Sequence, residues 1–197
     1  MLNSQSNITL KHTQETFKAL ADAIIPRTQF LAEEYGRIQF FGALDSYTYE
    51  YVILSLNNFY IPLAKRAAEM LDAAAGQLIF MDENKRGVDS LLPRGGAFAA
   101  LSADDRIRAL NLLERLNGDT VVWPGPFNKD PYLAQYITGG LNRFTIMGYY
   151  SEWSGYATSR LEPPDHRQLE YYPLSWKQIG YPGPSLGYRT FRAAKMK

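Results

Sequence analysis

Prolines cut this chain into pieces, and the apolar spacing inside each piece decides what the piece becomes. From Thr13 to Ile25, Phe17, Leu20, Ala21, Ile24 and Ile25 recur at i, i+3, i+4, i+7 and i+8, which places them on one face of a helix. Pro26 lacks the N–H that would continue it. The stretch from Gly42 to Tyr60 carries Leu44, Tyr47, Tyr51, Leu54 and Phe59 at helical spacing. Pro62 then suits the first turn of a further helix through Leu63, Ala67, Met70, Leu71 and Ala74. These two are read as separate helices or as one kinked helix.

Ser102 followed by Asp105 has the form of an N-cap with an acidic first turn, and opens an amphipathic helix through Ile107, Leu110, Leu113 and Leu116. Asp104 and Asp105 are thereby read as complements of the helix dipole rather than catalytic carboxylates. Trp123-Pro124-Gly125-Pro126 forms a rigid turn, and Pro131 starts a last helix covering Tyr132 to Tyr150. The expected fold is all-α: a single-domain bundle of about five helices, with residues 13–150 as helical core and 151–197 as a long, irregular, extended C-terminal segment.

That segment differs in character from the rest. Residues 149–197 hold seven of the 14 tyrosines, two of the three tryptophans and five of the 11 prolines. Prolines prevent a long regular element, yet so many aromatics are foreign to a disordered tail. The segment must fold against something: its own helices, or a partner protein. Trp and Tyr serve both ends, since they anchor extended chain and dominate interface energetics. If a partner is the answer, the segment Gly148 to Tyr188 supplies the surface, with Tyr149, Tyr150, Trp153, Trp176 and Tyr181 as anchors.

Chemistry is harder to find. The absence of cysteine removes disulfides, thiolate metal sites, cysteine nucleophiles and iron–sulfur ligation. His12 and His166 are the only histidines; the first is expected near a mobile terminus and the second in a solvated loop, which gives no Ser-His-Asp base and no metal pair. Asp82, Asn84 and Gly87 match part of a calcium loop, but Arg86 takes a ligand position and Pro93 stands where a bidentate Glu is required. Gly180, Gly183 and Gly187 follow no strand and read as turn residues, not a nucleotide loop, and Arg94-Gly95-Gly96 lacks the lysine and hydroxyl of a phosphate loop.

Lys and Arg total 21 against 20 Asp and Glu, so no broad field draws nucleic acid or anionic lipid. The four basic residues between Arg189 and Lys197 read as a solvated tail. The longest uncharged stretch, Tyr51 to Ala64, is too short and too polar for a transmembrane span. No export signal is visible in the first twenty residues.

Three stretches, in order, carry a resemblance: Phe17-Lys-Ala-Leu-Ala-Asp-Ala-Ile-Ile-Pro26, Phe144-Thr-Ile-Met-Gly-Tyr-Tyr150, and Ile179-Gly-Tyr-Pro-Gly183. Together, over residues 13 to 188, the chain resembles the gluconate 2-dehydrogenase subunit 3 family. The resemblance implies an all-helical small subunit without a redox centre of its own, which binds and stabilises or matures a large FAD-dependent dehydrogenase of the glucose-methanol-choline type. The partner would oxidise sugars, sugar acids or glycosides, and would hold the FAD; no cofactor is expected in this chain. Members of the family often begin with a twin-arginine leader, which this sequence lacks. A chain starting at Met1 without a trimmed apolar remnant is expected in the cytoplasm, or in the periplasm if carried there by its partner or if a leader was removed. Two other readings stand beside it: a stand-alone carbohydrate-active enzyme with an aromatic-lined site, and a general helical protein-binding module.

Overall fold

The structure, a computed structural model, describes residues 2–81, 95–117 and 119–184, apart from the side chains of residues 2–9 and 121. Among the described residues it is all-helical, with no strand. The α-helices are α1 Leu2–Ile24, α2 Gln29–Tyr35, α3 Thr48–Asn57, α4 Ala64–Phe80, α5 Ala97–Ala100, α6 Ala103–Glu114, α7 Pro131–Tyr150 and α8 Leu174–Gln178. Five of these, α1, α3, α4, α6 and α7, run ten residues or more and build the bundle.

Helix α1 lies at its centre, in contact with α3, α4, α5, α6 and α7. Phe17, Leu20 and Ala21, the face marked by spacing, are fully buried. Against them α4 offers an alanine-rich stripe of Ala64, Ala67, Ala68, Ala74 and Ala75 with Met70, Leu71 and Leu78. Small side chains let the two backbones approach, while the larger ones fill the gaps, as close packing requires. Each fully buried Leu or Phe is worth about 1.5–3 kcal/mol over exposure.

Helix starts follow the expected chemistry. The Ser102 side chain accepts the Asp105 N–H at 3.3 Å and donates to the Asp105 carboxylate at 2.9 Å, a reciprocal cap. Asp130 accepts the Leu133 N–H at 3.0 Å with Pro131 in the first turn of α7. Pro62, by contrast, lies just ahead of α4, whose N-cap is Leu63.

Two buried faces are turned from the expected ones. In α6 the interior residues are Asp105, Arg106, Ala109, Leu112 and Leu113, while Ile107 stays exposed. Ala109 faces inward because its small side chain gives room beside α1 and α4, and the Arg106 guanidinium is buried, donating to the Ala99 carbonyl at 2.8 Å. In α3 the interior is Thr48, Tyr49, Val52 and Leu56, with Tyr47 and Leu54 exposed. Counting large apolar residues misplaced both stripes because threonine and alanine pack inward as well.

His12 is also placed differently from expectation. It stands within α1, and its Nε2 lies 2.6 Å from the Asp72 carboxylate, whose other oxygen accepts the Phe98 N–H at 2.9 Å. Asp72 thus joins α1, α4 and α5. A Cβ at Gly96 would collide with that carboxylate, so glycine is required where the chain enters α5.

Candidate functional site

After α7 the chain forms a 3₁₀ stretch, Trp153–Ser159, a short 3₁₀ turn, Pro164–His166, and then α8. The C-terminal segment folds back on its own bundle, and aromatic donors hold it there. Trp153 Nε1 donates to the Tyr47 carbonyl at 3.0 Å, and its ring meets Tyr51 edge to face at 5.5 Å. Trp176 Nε1 donates to the Tyr150 carbonyl at 2.8 Å. The single Tyr149 hydroxyl proton is shared between two acceptors, the Phe41 carbonyl at 2.9 Å and the Gln178 Oε1. Burial pushes the Tyr149 phenol up to about 12, so it keeps its proton and remains a donor at neutral pH.

Backbone geometry tightens this clasp. The Gly155 carbonyl accepts the Glu170 N–H at 2.8 Å and the Tyr171 N–H at 3.3 Å, and a Cβ at Gly155 would strike the Tyr171 carbonyl. Arg160 reaches Glu50 on α3 with its Nε 2.6 Å from the carboxylate, donates to the Ala157 carbonyl at 2.6 Å and lies 4.1 Å over the Tyr47 ring. Its hydrogen bond to Glu50 raises the guanidinium pKa further. Tyr47 and Ala157 both have positive φ, 53° and 40°, which is strained for residues with a Cβ. One arginine therefore braces both strained residues.

The five expected anchors divide. Tyr149, Trp153 and Trp176 are 3%, 2% and 4% exposed, so in the isolated chain they face inward and cannot meet a partner directly. Their polar tips need buried acceptors, which the ends of α3 and α7 and the loop before α3 supply. Tyr150 and Tyr181 are half-exposed. Around the buried Trp176 the rings form a cluster: Tyr181 meets it edge to face at 4.9 Å, Tyr172 lies at 5.8 Å, and Tyr150 packs on Tyr149 at 5.1 Å. Tyr150, Tyr172 and Tyr181 thus present an aromatic platform whose underside is fixed. Tyr172 was not singled out in the sequence; it precedes Pro173, the N-cap of α8, so no helical spacing ties it to Trp176.

A surface cleft of about 380 Å³ opens beside the clasp, lined by Tyr51, Leu54, Ser55, Asn57, Asn58, Trp153, Pro164 and Arg167. None of these is a carboxylate, so the pair needed for glycoside hydrolysis has no place in its lining. Arg167 lies 5.3 Å over the Trp153 ring, covering the face a sugar would stack on. His166 is exposed, 3.8 Å from an exposed Asp165. Among the described residues no group of three His, Cys, Asp or Glu could hold a metal ion, and no helix is long and apolar enough to cross a membrane. Gly180 lies in a turn, and both Gly180 and Gly183 have positive φ, 69° and 94°, which glycine adopts without strain. Asp82 to Pro93, Gly187 and the basic end lie outside the described residues.

No family model matches the chain, and neither the curated proteins nor the solved structures contain a match to it.

Proposed function

We propose that this chain is a non-catalytic small subunit that binds and stabilises or matures a large FAD-dependent dehydrogenase acting on sugars, sugar acids or glycosides. The observation that carries this reading is the aromatic platform: Tyr150, Tyr172 and Tyr181 are half-exposed around Trp176, on a segment pinned from below by the side-chain donors Trp153, Trp176 and Gln178. Rigid aromatic surface loses little entropy on docking, which is how interface anchors gain affinity. The Phe144–Tyr150 and Ile179–Gly183 stretches that carry the family resemblance border this platform. Flavin and catalysis belong to the partner in this reading.

Purification of the tagged chain from its native host, with mass spectrometry and an absorption spectrum of the eluate, tests it. A large flavoprotein of the glucose-methanol-choline type is expected, with a flavin spectrum. Tyr172→Ala with Tyr181→Ala should weaken capture by about 2 kcal/mol or more while changing the melting of the free chain little. A colourless, lone chain under native expression overturns the proposal.

A further inference from the structure

The cleft between α3 and the clasp gathers polar groups that the fold itself leaves available. Tyr51, Leu54, Ser55 and Asn58 follow at i, i+3, i+4 and i+7, so one flank of α3 supplies one side of it. Trp153, Pro164 and Arg167 of the clasp supply the other. A volume of about 380 Å³ suits a small molecule.

The polar groups of this lining act mainly as donors. Asn57 Oδ1 accepts the Ala64 N–H at 3.1 Å, which leaves the Asn57 amide nitrogen for the cleft. Trp153 Nε1 is occupied by the Tyr47 carbonyl, so that indole presents only apolar ring. Arg167 donates through Nε to the Glu162 carbonyl at 2.9 Å, and its guanidinium carbon lies 5.3 Å from the Trp153 ring centre. Those two contacts fix the guanidinium and leave the Nη1 and Nη2 pair, the end of the fork that grips a carboxylate with two parallel hydrogen bonds.

That fork has no acid. Arg27, Arg66 and Arg160 reach carboxylates at 2.6, 2.8 and 2.6 Å. Among the described residues no carboxylate pairs with Arg167, and none lines the cleft. Asp165, two residues earlier, is turned to His166 at 3.8 Å. The carboxylate side chains outside the described residues are Asp82, Glu83 and Asp89. Their segment attaches away from the cleft: it leaves Met81, about 25 Å along α4 from Ala64, and rejoins at Gly95, next to the Gly96 that lies against Asp72 halfway along that helix. Residues 185–197 contain no Asp or Glu. A fixed guanidinium without an acid draws an anion, and the Tyr51, Leu54 and Pro164 side chains beside it favour an anion with an apolar body.

We infer that this cleft binds a small monocarboxylate with an apolar or aromatic body. The carboxylate takes the Arg167 Nη pair, with the Ser55 hydroxyl and the Asn57 and Asn58 amides as neighbouring donors, and the body lies against Tyr51, Leu54 and Pro164. Such a ligand touches α3 on one side and the clasp on the other, so its binding ties the clasp to the bundle. The inference does not rest on the flavoprotein reading and uses none of the platform tyrosines.

Phenylacetate is the probe, titrated into the nitrogen-15-labelled full chain with the indole N–H signals of Trp123, Trp153 and Trp176 as reporters. The Trp153 signal should move and the other two should not, with a dissociation constant on the order of 1 mM. Phenylacetamide keeps the shape without the charge, and inorganic phosphate keeps charge without the apolar body; each should bind about ten-fold more weakly or worse. Arg167→Gln should weaken phenylacetate about ten-fold or more. Asn58→Asp, nearly isosteric at an exposed position, sets a rival carboxylate in the cleft and should do the same while leaving Arg167 in place. Bound phenylacetate should also slow hydrogen exchange in residues 164–171. A Trp153 signal that stays in place, phenylacetamide or phosphate binding as tightly as phenylacetate, or full affinity in either variant overturns the inference.

Discussion

The helical bundle and the C-terminal clasp are held by different means. In the bundle, α1 and α4 bury Phe17, Leu20, Leu71 and a run of alanines, and stability is spread over many apolar contacts. In the clasp, residues 151–184 have little regular structure, and three side-chain donors, Trp153, Trp176 and Gln178, fix it to backbone carbonyls of the rest of the chain. A spread of apolar contacts makes a cooperative unit. A few point attachments make a segment whose release need not unfold the rest, since local stability follows local contacts.

The largest expected effects test that difference directly. Phe17→Ala empties a fully buried position of α1, and about 3–5 kcal/mol of global stability should be lost. Trp176→Ala removes as large a side chain, 4% exposed, from the clasp. Hydrogen exchange should show the amides of α8 and residues 151–173 losing protection while α1 and α4 keep theirs. If Trp176→Ala lowers protection throughout the bundle as Phe17→Ala does, the two regions form one cooperative unit and the contrast fails.

A smaller effect is expected at Arg160. Its guanidinium joins Glu50 of α3 to the Ala157 carbonyl and covers the Tyr47 ring, so it spans both regions. Arg160→Met keeps much of the chain length and removes every donor, leaving the Glu50 carboxylate without this partner. A cost of about 1.5–3 kcal/mol is expected in denaturant unfolding, the range for hydrogen bonds to charged groups. A change under about 0.5 kcal/mol would mean that water replaces the bridge at no cost, and that the clasp is held by its indoles alone.

The same contrast sets what could be read from sequence. The bundle was legible because its signals are local: Phe17, Leu20 and Ala21 share a face within two turns, Pro26 stops them, and Ser102 and Pro131 mark starts. Its buried faces were less legible where alanine or threonine takes an inward position, as Ala109 and Thr48 do. In the clasp the aromatics announced that the segment folds against something, but not which way each ring turns. Trp153 bonds to Tyr47, 106 residues earlier, and Tyr149 to Phe41, 108 earlier; no periodicity reports such a partner. The same holds for His12, whose side-chain partner, Asp72, is sixty residues away in sequence.

Two glycines of α7 give the smallest and sharpest comparison, because they lie on opposite sides of one helix. Gly148 faces inward, where an added Cβ would come within 2.7 Å of the Tyr51 ring. That ring packs on Trp153 and cannot withdraw without disturbing the clasp. Gly148→Ala should therefore destabilise by about 1 kcal/mol or more, as overpacking does. Gly139 faces outward with nothing nearer than 4.0 Å, so Gly139→Ala should gain helix propensity and stabilise the chain by about 0.5–1 kcal/mol. Thermal unfolding of the two variants reads both. The opposite signs follow from which surface each glycine lies against, not from the helix they share. Equal signs would mean that Tyr51 yields more easily than its packing implies, and that the junction between bundle and clasp is looser than the distances indicate.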